Sequence, residues 1–139
     1  MLAGNLFITP QLSAIQDIGL ESIDPAVIAA KVCDADEKSK ECVVALINKY
    51  ADQYDFDQKL ALDIATCESE LKTNAVGDHG KAYGIYQFHK PTFDEFSKKL
   101  GEKMDYHDTE DNIKLAIWAL SKDKGQHWSC YRHIIIASK

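Results

Sequence analysis

The sequence predicts a mainly α domain carrying one small β element, and three observations predict it. Apolar residues recur at three- and four-residue spacings in several separate stretches, which is the mark of amphipathic helices. One short segment, residues 82–88 (AYGIYQF), is instead aromatic and β-prone and follows a run of turn residues. The chain has 139 residues, 45% hydrophobic and 27% charged, enough for one globular domain and incompatible with disorder throughout. Sixteen basic against twenty-two acidic side chains give a net charge of −6, which argues against nucleic acid as a partner and offers no pull toward anionic membranes. No apolar run approaches the roughly 18 residues of a spanning helix, so no membrane span is expected.

Residues 1–23 show no clear periodicity and read as an N-terminal extension or an edge element, leaving 24–139 as the domain. Residues 2–10 (LAGNLFITP) lack a basic start and a long apolar stretch, so no intact signal peptide is expected. Asp24 before Pro25 suits a helix start, because proline fits the first helical position. The charged run 34–41 (DADEKSKE) should interrupt that helix, and 42–50 (CVVALINKY) resumes helical spacing. The even set Cys33, Cys42, Cys67 and Cys130 permits two disulfides, and a Cys33–Cys42 bridge would close the excursion; four reduced core thiols are the alternative. No compact Cys/His cluster is present, and the aspartates of 34–41 lack the glycine and final glutamate of a calcium loop. Neither a metal nor a cofactor is therefore expected.

Asp57 should cap the next helix, in which Leu60, Ile64, Cys67 and Leu71 draw one apolar stripe. Glu68 lies at the margin of that stripe, near the helix end. Residues 74–80 (NAVGDHG) are turn-forming, and 82–88 should make a small strand or hairpin. Thr92 with Glu95 forms a capping-box pattern before a helix that buries Phe93, Phe96 and Leu100 and stops at Gly101. Another helix starts near Thr109, buries Ile113, Ile117 and Leu120, and ends before Gly125. The tail, with Trp128, Cys130 and Ile134 to Ile136, is apolar enough to pack back on the core.

A glutamate on a helix is ordinarily a solvated surface group. Glu68 differs in bordering an apolar stripe and in being followed by a glycine-punctuated loop and the segment Tyr83-Gly84-Ile85-Tyr86-Gln87. Rings beside an amide suit sugars: aromatic faces stack on pyranose rings, and amides pair with hydroxyl and N-acetyl groups. Of Tyr83 and Tyr86, which alternate with Ile85, at least one is expected in the core. Among the histidines only His79 and His89 flank the expected groove, and Trp118 reads as packing. Cys67 has no partner base with a fixed relation to it and is not expected to act as a nucleophile.

Glu68-Ser69-Glu70-Leu71, Asn74-Ala75-Val76 and Gly80-Lys81-Ala82-Tyr83-Gly84-Ile85-Tyr86-Gln87, in that order, resemble the glutamate-serine and glycine-aliphatic-x-glutamine motifs of soluble lytic transglycosylase (SLT) domains, members of the lysozyme-like superfamily. Thr92 and Asn112-Ile113 resemble the threonine and the asparagine-led helix that follow in that family. Cys67-Glu68-Ser69 paired with Trp128-Ser129-Cys130-Tyr131 is similar to a secreted, phage-associated branch, so the resemblance covers about residues 57–131. It implies a lysozyme-like helical bundle around a catalytic helix and a Cys67–Cys130 bridge to the C-terminal segment. It also implies a secreted or cell-envelope location and peptidoglycan glycan strands as the partner of a monomer.

By the same resemblance Glu68 is the general acid that cleaves the β-1,4 bond between N-acetylmuramic acid and N-acetylglucosamine, and Ser69, Gly84, Tyr86, Gln87 and Tyr131 form the substrate-binding set. A glycosidic oxygen leaves only when protonated, so the acid must keep its proton near neutral pH, which an apolar site favours. The family's glutamate then turns base, and the muramic 6-hydroxyl attacks to leave a 1,6-anhydro end. A hydrolytic muramidase would need a second carboxylate, for which Asp78 is the candidate. A silent glycan-binding module is the alternative outside enzymology. An exposed groove amide contributes little to a core, so removal of Gln87 is expected to weaken cleavage without unfolding the domain.

Overall fold

The computed structural model describes residues 23–139; the expected extension at 1–23 and the stretch 2–10, read as no intact signal peptide, therefore lie, Ile23 apart, outside the described residues. Helix α1 (Pro25–Ala35) starts as the sequence predicts, with the Asp24 side chain accepting from the Ala26 amide at 2.9 Å. The charged run interrupts it only over residues 36–39. Ser39 then caps α2 (Lys40–Gln53) by accepting from the Cys42 amide at 3.0 Å. Asp57 caps α3 (Gln58–Ser69) through the Leu60 amide at 2.6 Å. Each cap satisfies a donor that has no partner within its own helix.

Residues 82–88 take the hairpin form of the expectation rather than a single strand. Strands β1 (Val76–Gly77), β2 (Ala82–Tyr83) and β3 (Phe88–His89) form an antiparallel sheet in that order, pairing Val76 with Tyr83 and Tyr83 with Phe88. A short 3-10 turn, Asp78–Gly80, joins the first two. A tight turn through Gly84 joins the last two, because Gly84 has φ +84° and Gln87 φ +49°, conformations no strand contains. Helix α4 (Lys90–Leu100) begins earlier than the capping-box pattern suggests: Pro91 occupies its first turn, so Thr92 lies inside the helix and caps nothing. Gly101 ends it in the left-handed conformation.

Helix α5 (Thr109–Ser121) is the most deeply buried element. Ile113, Leu115, Ala116 and Ile117 are wholly inaccessible and pack with Val43 and Ile47 of α2, Ile64 of α3, and Phe93 and Phe96 of α4. A second 3-10 turn, Gly125–His127, leads into α6 (Ser129–Ala137). The tail does pack back, but by its first residues: Trp128 and Cys130 are buried, whereas Ile136 stays 69% exposed. The cysteines pair as Cys33–Cys42, linking α1 to α2, and Cys67–Cys130, linking α3 to α6. Among the described residues no helix is long and apolar enough to cross a membrane. The architecture is the expected one, mainly helical with one small sheet beside the bundle.

Candidate functional site

Helix α3 ends abruptly. Glu70 and Leu71 both take left-handed backbone angles (φ 54° and 61°), so the chain turns away immediately beyond Glu68 and Ser69. Such angles are strained for residues with side chains, and among the described residues Asp55, Asp78, His79, Gln87 and Asp123 share them, Asp78 and Gln87 in the lining of a groove. That groove, of about 480 Å³, lies between the sheet and the C-terminal segment and is lined by Glu68, Asp78, Gln87, His89, Thr92 and Trp128, among others.

Glu68 is half-buried and lines the groove. Burial, which disfavours the charged form, pushes its carboxyl above the usual glutamate range. The Cys130 amide, which donates to Oε1 at 3.4 Å, and the positive charge of Arg132 act in the opposite direction and only partly offset it. The position also contributes, since the last turn of a helix carries partial negative charge. A proton is thus favoured on Glu68 by its surroundings rather than by a second carboxylate.

The sheet delivers the rest of the site. Asp78 Oδ2 lies 2.9 Å from His89 Nε2, which sets the 3-10 turn against the end of β3. Gln87 turns its amide inward: Nε2 donates to the Ala75 and Gly84 carbonyls at 3.0 and 2.9 Å, leaving only Oε1 for a ligand. Gln87 is therefore a tie within the loop as well as a lining residue, which revises the expectation that it is dispensable for folding.

Four of the residues expected to bind substrate hold structural positions. Ser69 is buried, and its hydroxyl donates to the Ala65 carbonyl at 3.2 Å within α3. Tyr86 is wholly buried, with its hydroxyl donating to the Ala61 carbonyl at 2.8 Å, because the turn through Gly84 points its ring into the core. Gly84 makes a close approach to a side chain: a Cβ there would lie 2.4 Å from Asn112 Nδ2. Tyr131 lies outside the groove lining, its ring pressed so closely on Gly125 that a Cβ there would fall within 2.5 Å.

Two groups are more important to the site than their sequence positions suggest. Asn112, buried at the start of α5, accepts from the Tyr86 amide at 2.9 Å and donates to the Tyr83 carbonyl at 3.1 Å, so one side chain shapes the whole β2–β3 turn. Trp128 donates its indole N–H to the Tyr86 carbonyl at 2.7 Å and packs edge-on to Phe88, bringing His127 and Ser129 to the groove with it. The one sequence signal for Trp128 is its place two residues before a cysteine whose partner adjoins Glu68. A second cavity of about 490 Å³, between α1, α2 and the start of α5, shares no residue with the groove.

A family model described as the transglycosylase SLT domain matches residues 45–135, well over half of the chain and all of the groove. No curated protein and no solved structure matches it.

Proposed function

Because this chain belongs to the transglycosylase SLT domain family, we propose that it cleaves peptidoglycan glycan strands at the β-1,4 bond between N-acetylmuramic acid and N-acetylglucosamine, with Glu68 as its single acid and base. The observation that carries this reading is the half-buried Glu68 carboxyl, which lines an open groove and is held above its ordinary pKa by burial. Glu68 donates its proton to the bridging oxygen and becomes a carboxylate. It then takes the proton of the muramic 6-hydroxyl, whose oxygen closes on the anomeric carbon to give a 1,6-anhydro end. Each step moves one proton through one side chain.

Asp78 supports this version over hydrolysis. It lines the same groove, but one of its oxygens is already engaged by His89 at 2.9 Å, and it is not among the charges that act on Glu68. A hydrolase needs that second carboxylate to hold a water or the sugar itself. Gln87 Oε1, Thr92 and the rim residues His127 and Ser129 offer polar contacts to the sugar hydroxyls. The two disulfides fit an oxidising, extracytoplasmic compartment, where such a substrate is found. Digesting purified peptidoglycan and weighing the fragments tests the reading. Anhydro ends support it, reducing ends point to a muramidase, and intact glycan with measurable binding points to a silent module.

A further inference from the structure

Glu68 lies between two helix ends of opposite sign. It occupies the last turn of α3, where unpaired carbonyls carry partial negative charge. It faces the first turn of α6, where unpaired amides carry partial positive charge and the Cys130 N–H donates to Glu68 Oε1 at 3.4 Å. No other hydrogen bond reaches this carboxylate among the described residues. Cys130 is the second residue of α6, is buried, and is joined through its sulfur to Cys67, the residue immediately before Glu68. One covalent link therefore connects the helix that carries the acid to the amide that faces it.

We propose that Cys130 is a positioning residue for Glu68: the Cys67–Cys130 bridge holds the first-turn amide of α6 against the carboxylate and so stabilises the anion that remains once the proton has left. This rests on Glu68 being the acid and base. A group that must alternate between neutral and charged forms in a partly desolvated site needs a donor waiting for its charged form, or release of the proton becomes costly. The remaining ionisable groups around the groove belong to other elements: Asp78 on the 3-10 turn, His89 at β3 and His127 before α6. Arg132, two residues beyond Cys130 on α6, adds a positive charge on the same side. The bridge Cys33–Cys42 contributes no residue to the groove and serves as the internal comparison.

The test is the Cys67→Ser/Cys130→Ser protein with the other bridge intact, assayed on purified glycan strands across pH and checked for fold by circular dichroism. A free first-turn amide should lower kcat roughly tenfold, the scale of one lost hydrogen bond to a charge. It should also move the alkaline limb to higher pH, because the carboxylate has lost its donor. Cys33→Ser/Cys42→Ser should retain both the rate and the limb. A folded Cys67→Ser/Cys130→Ser protein with wild-type rate and limb overturns the proposal. If that protein does not fold, the Cys130 amide proton followed by NMR across pH in the wild-type protein should shift with the titration of Glu68 and lose that shift in Glu68→Gln; a Cys130 amide that does not respond overturns the proposal. Glu68→Gln separates the two readings. If it is inactive while the bridge variant is unaffected, the positioning role alone fails. If it remains fully lytic, the proposed function fails and the positioning role with it.

Discussion

The Asn112 side chain accepts from the Tyr86 amide at 2.9 Å and donates to the Tyr83 carbonyl at 3.1 Å, so a residue on α5 grips both ends of a turn in the sheet. Both polar atoms are buried, and removing the side-chain amide leaves the Tyr86 N–H without its acceptor. Asn112→Ala should therefore destabilise the fold by about 2–4 kcal/mol in chemical denaturation. A cost near zero would mean that water replaces the amide.

Gly84 meets that same side chain. Its φ of +84° disfavours any side chain, and a Cβ at this position would lie 2.4 Å from Asn112 Nδ2, which leaves no room for alanine. Gly84→Ala should cost about 2 kcal/mol or more and reduce cleavage, since the displaced turn carries Gln87. Denaturant midpoints and glycan turnover on the same preparation check both effects.

The raised pKa of Glu68 makes stability depend on pH. Between the ordinary glutamate value and the higher folded one, the native state holds a proton that the unfolded chain has released. Stability therefore falls as pH rises through that window, and the full penalty is present above it. Glu68→Gln removes the penalty while keeping an oxygen to accept from Cys130. The variant should melt higher than wild type at neutral pH and show no such advantage below about pH 4, where both states are protonated. Equal melting temperatures at neutral pH would show that the site carries no electrostatic cost.

Catalysis should follow the opposite logic. Loss of the acid should lower glycan cleavage by about 10²–10⁴-fold in Glu68→Gln with the fold intact. In wild type, kcat/KM should fall on the alkaline side as Glu68 ionises, at a pH above the ordinary glutamate range. A limb within that range would contradict the effect of burial.

The two bridges close chain segments separated by 9 and 63 residues. Loop-closure entropy then ranks them: losing Cys33–Cys42 should cost about 3 kcal/mol and losing Cys67–Cys130 about 4 kcal/mol. Thermal melts of the two double serine variants should preserve that order.

Gln87→Ala should both slow cleavage and destabilise the domain by about 1–2 kcal/mol, because its amide donates to two loop carbonyls. Unchanged stability would restore the simpler picture of a free groove amide.

The helices and the position of Glu68 are legible in the sequence because their causes are local. Asp24, Asp57 and the stripe of Leu60 and Ile64 act within a turn or two of chain, and Glu68 is marked by motif order on either side of it. Spacing also points to Cys33–Cys42, nine residues apart. What the sequence does not decide is which way side chains face in the β2–β3 turn. Tyr86, Gly84 and Ser69 carry the residue types of a sugar site, yet the left-handed angles of Gly84 and Gln87 and the grip of Asn112 direct the turn into the fold, while the α3 backbone claims the Ser69 hydroxyl. The directions within the turn depend on partners 25 or more residues away, as in Tyr86 with Ala61 and with Asn112. Likewise, only packing brings the Cys130 amide to Glu68 across 62 residues of chain. Local pattern determines which elements form and which group can carry a proton; the surroundings that hold that proton are assembled from distant segments, since desolvation and hydrogen bonding exist only once the chain has closed around them.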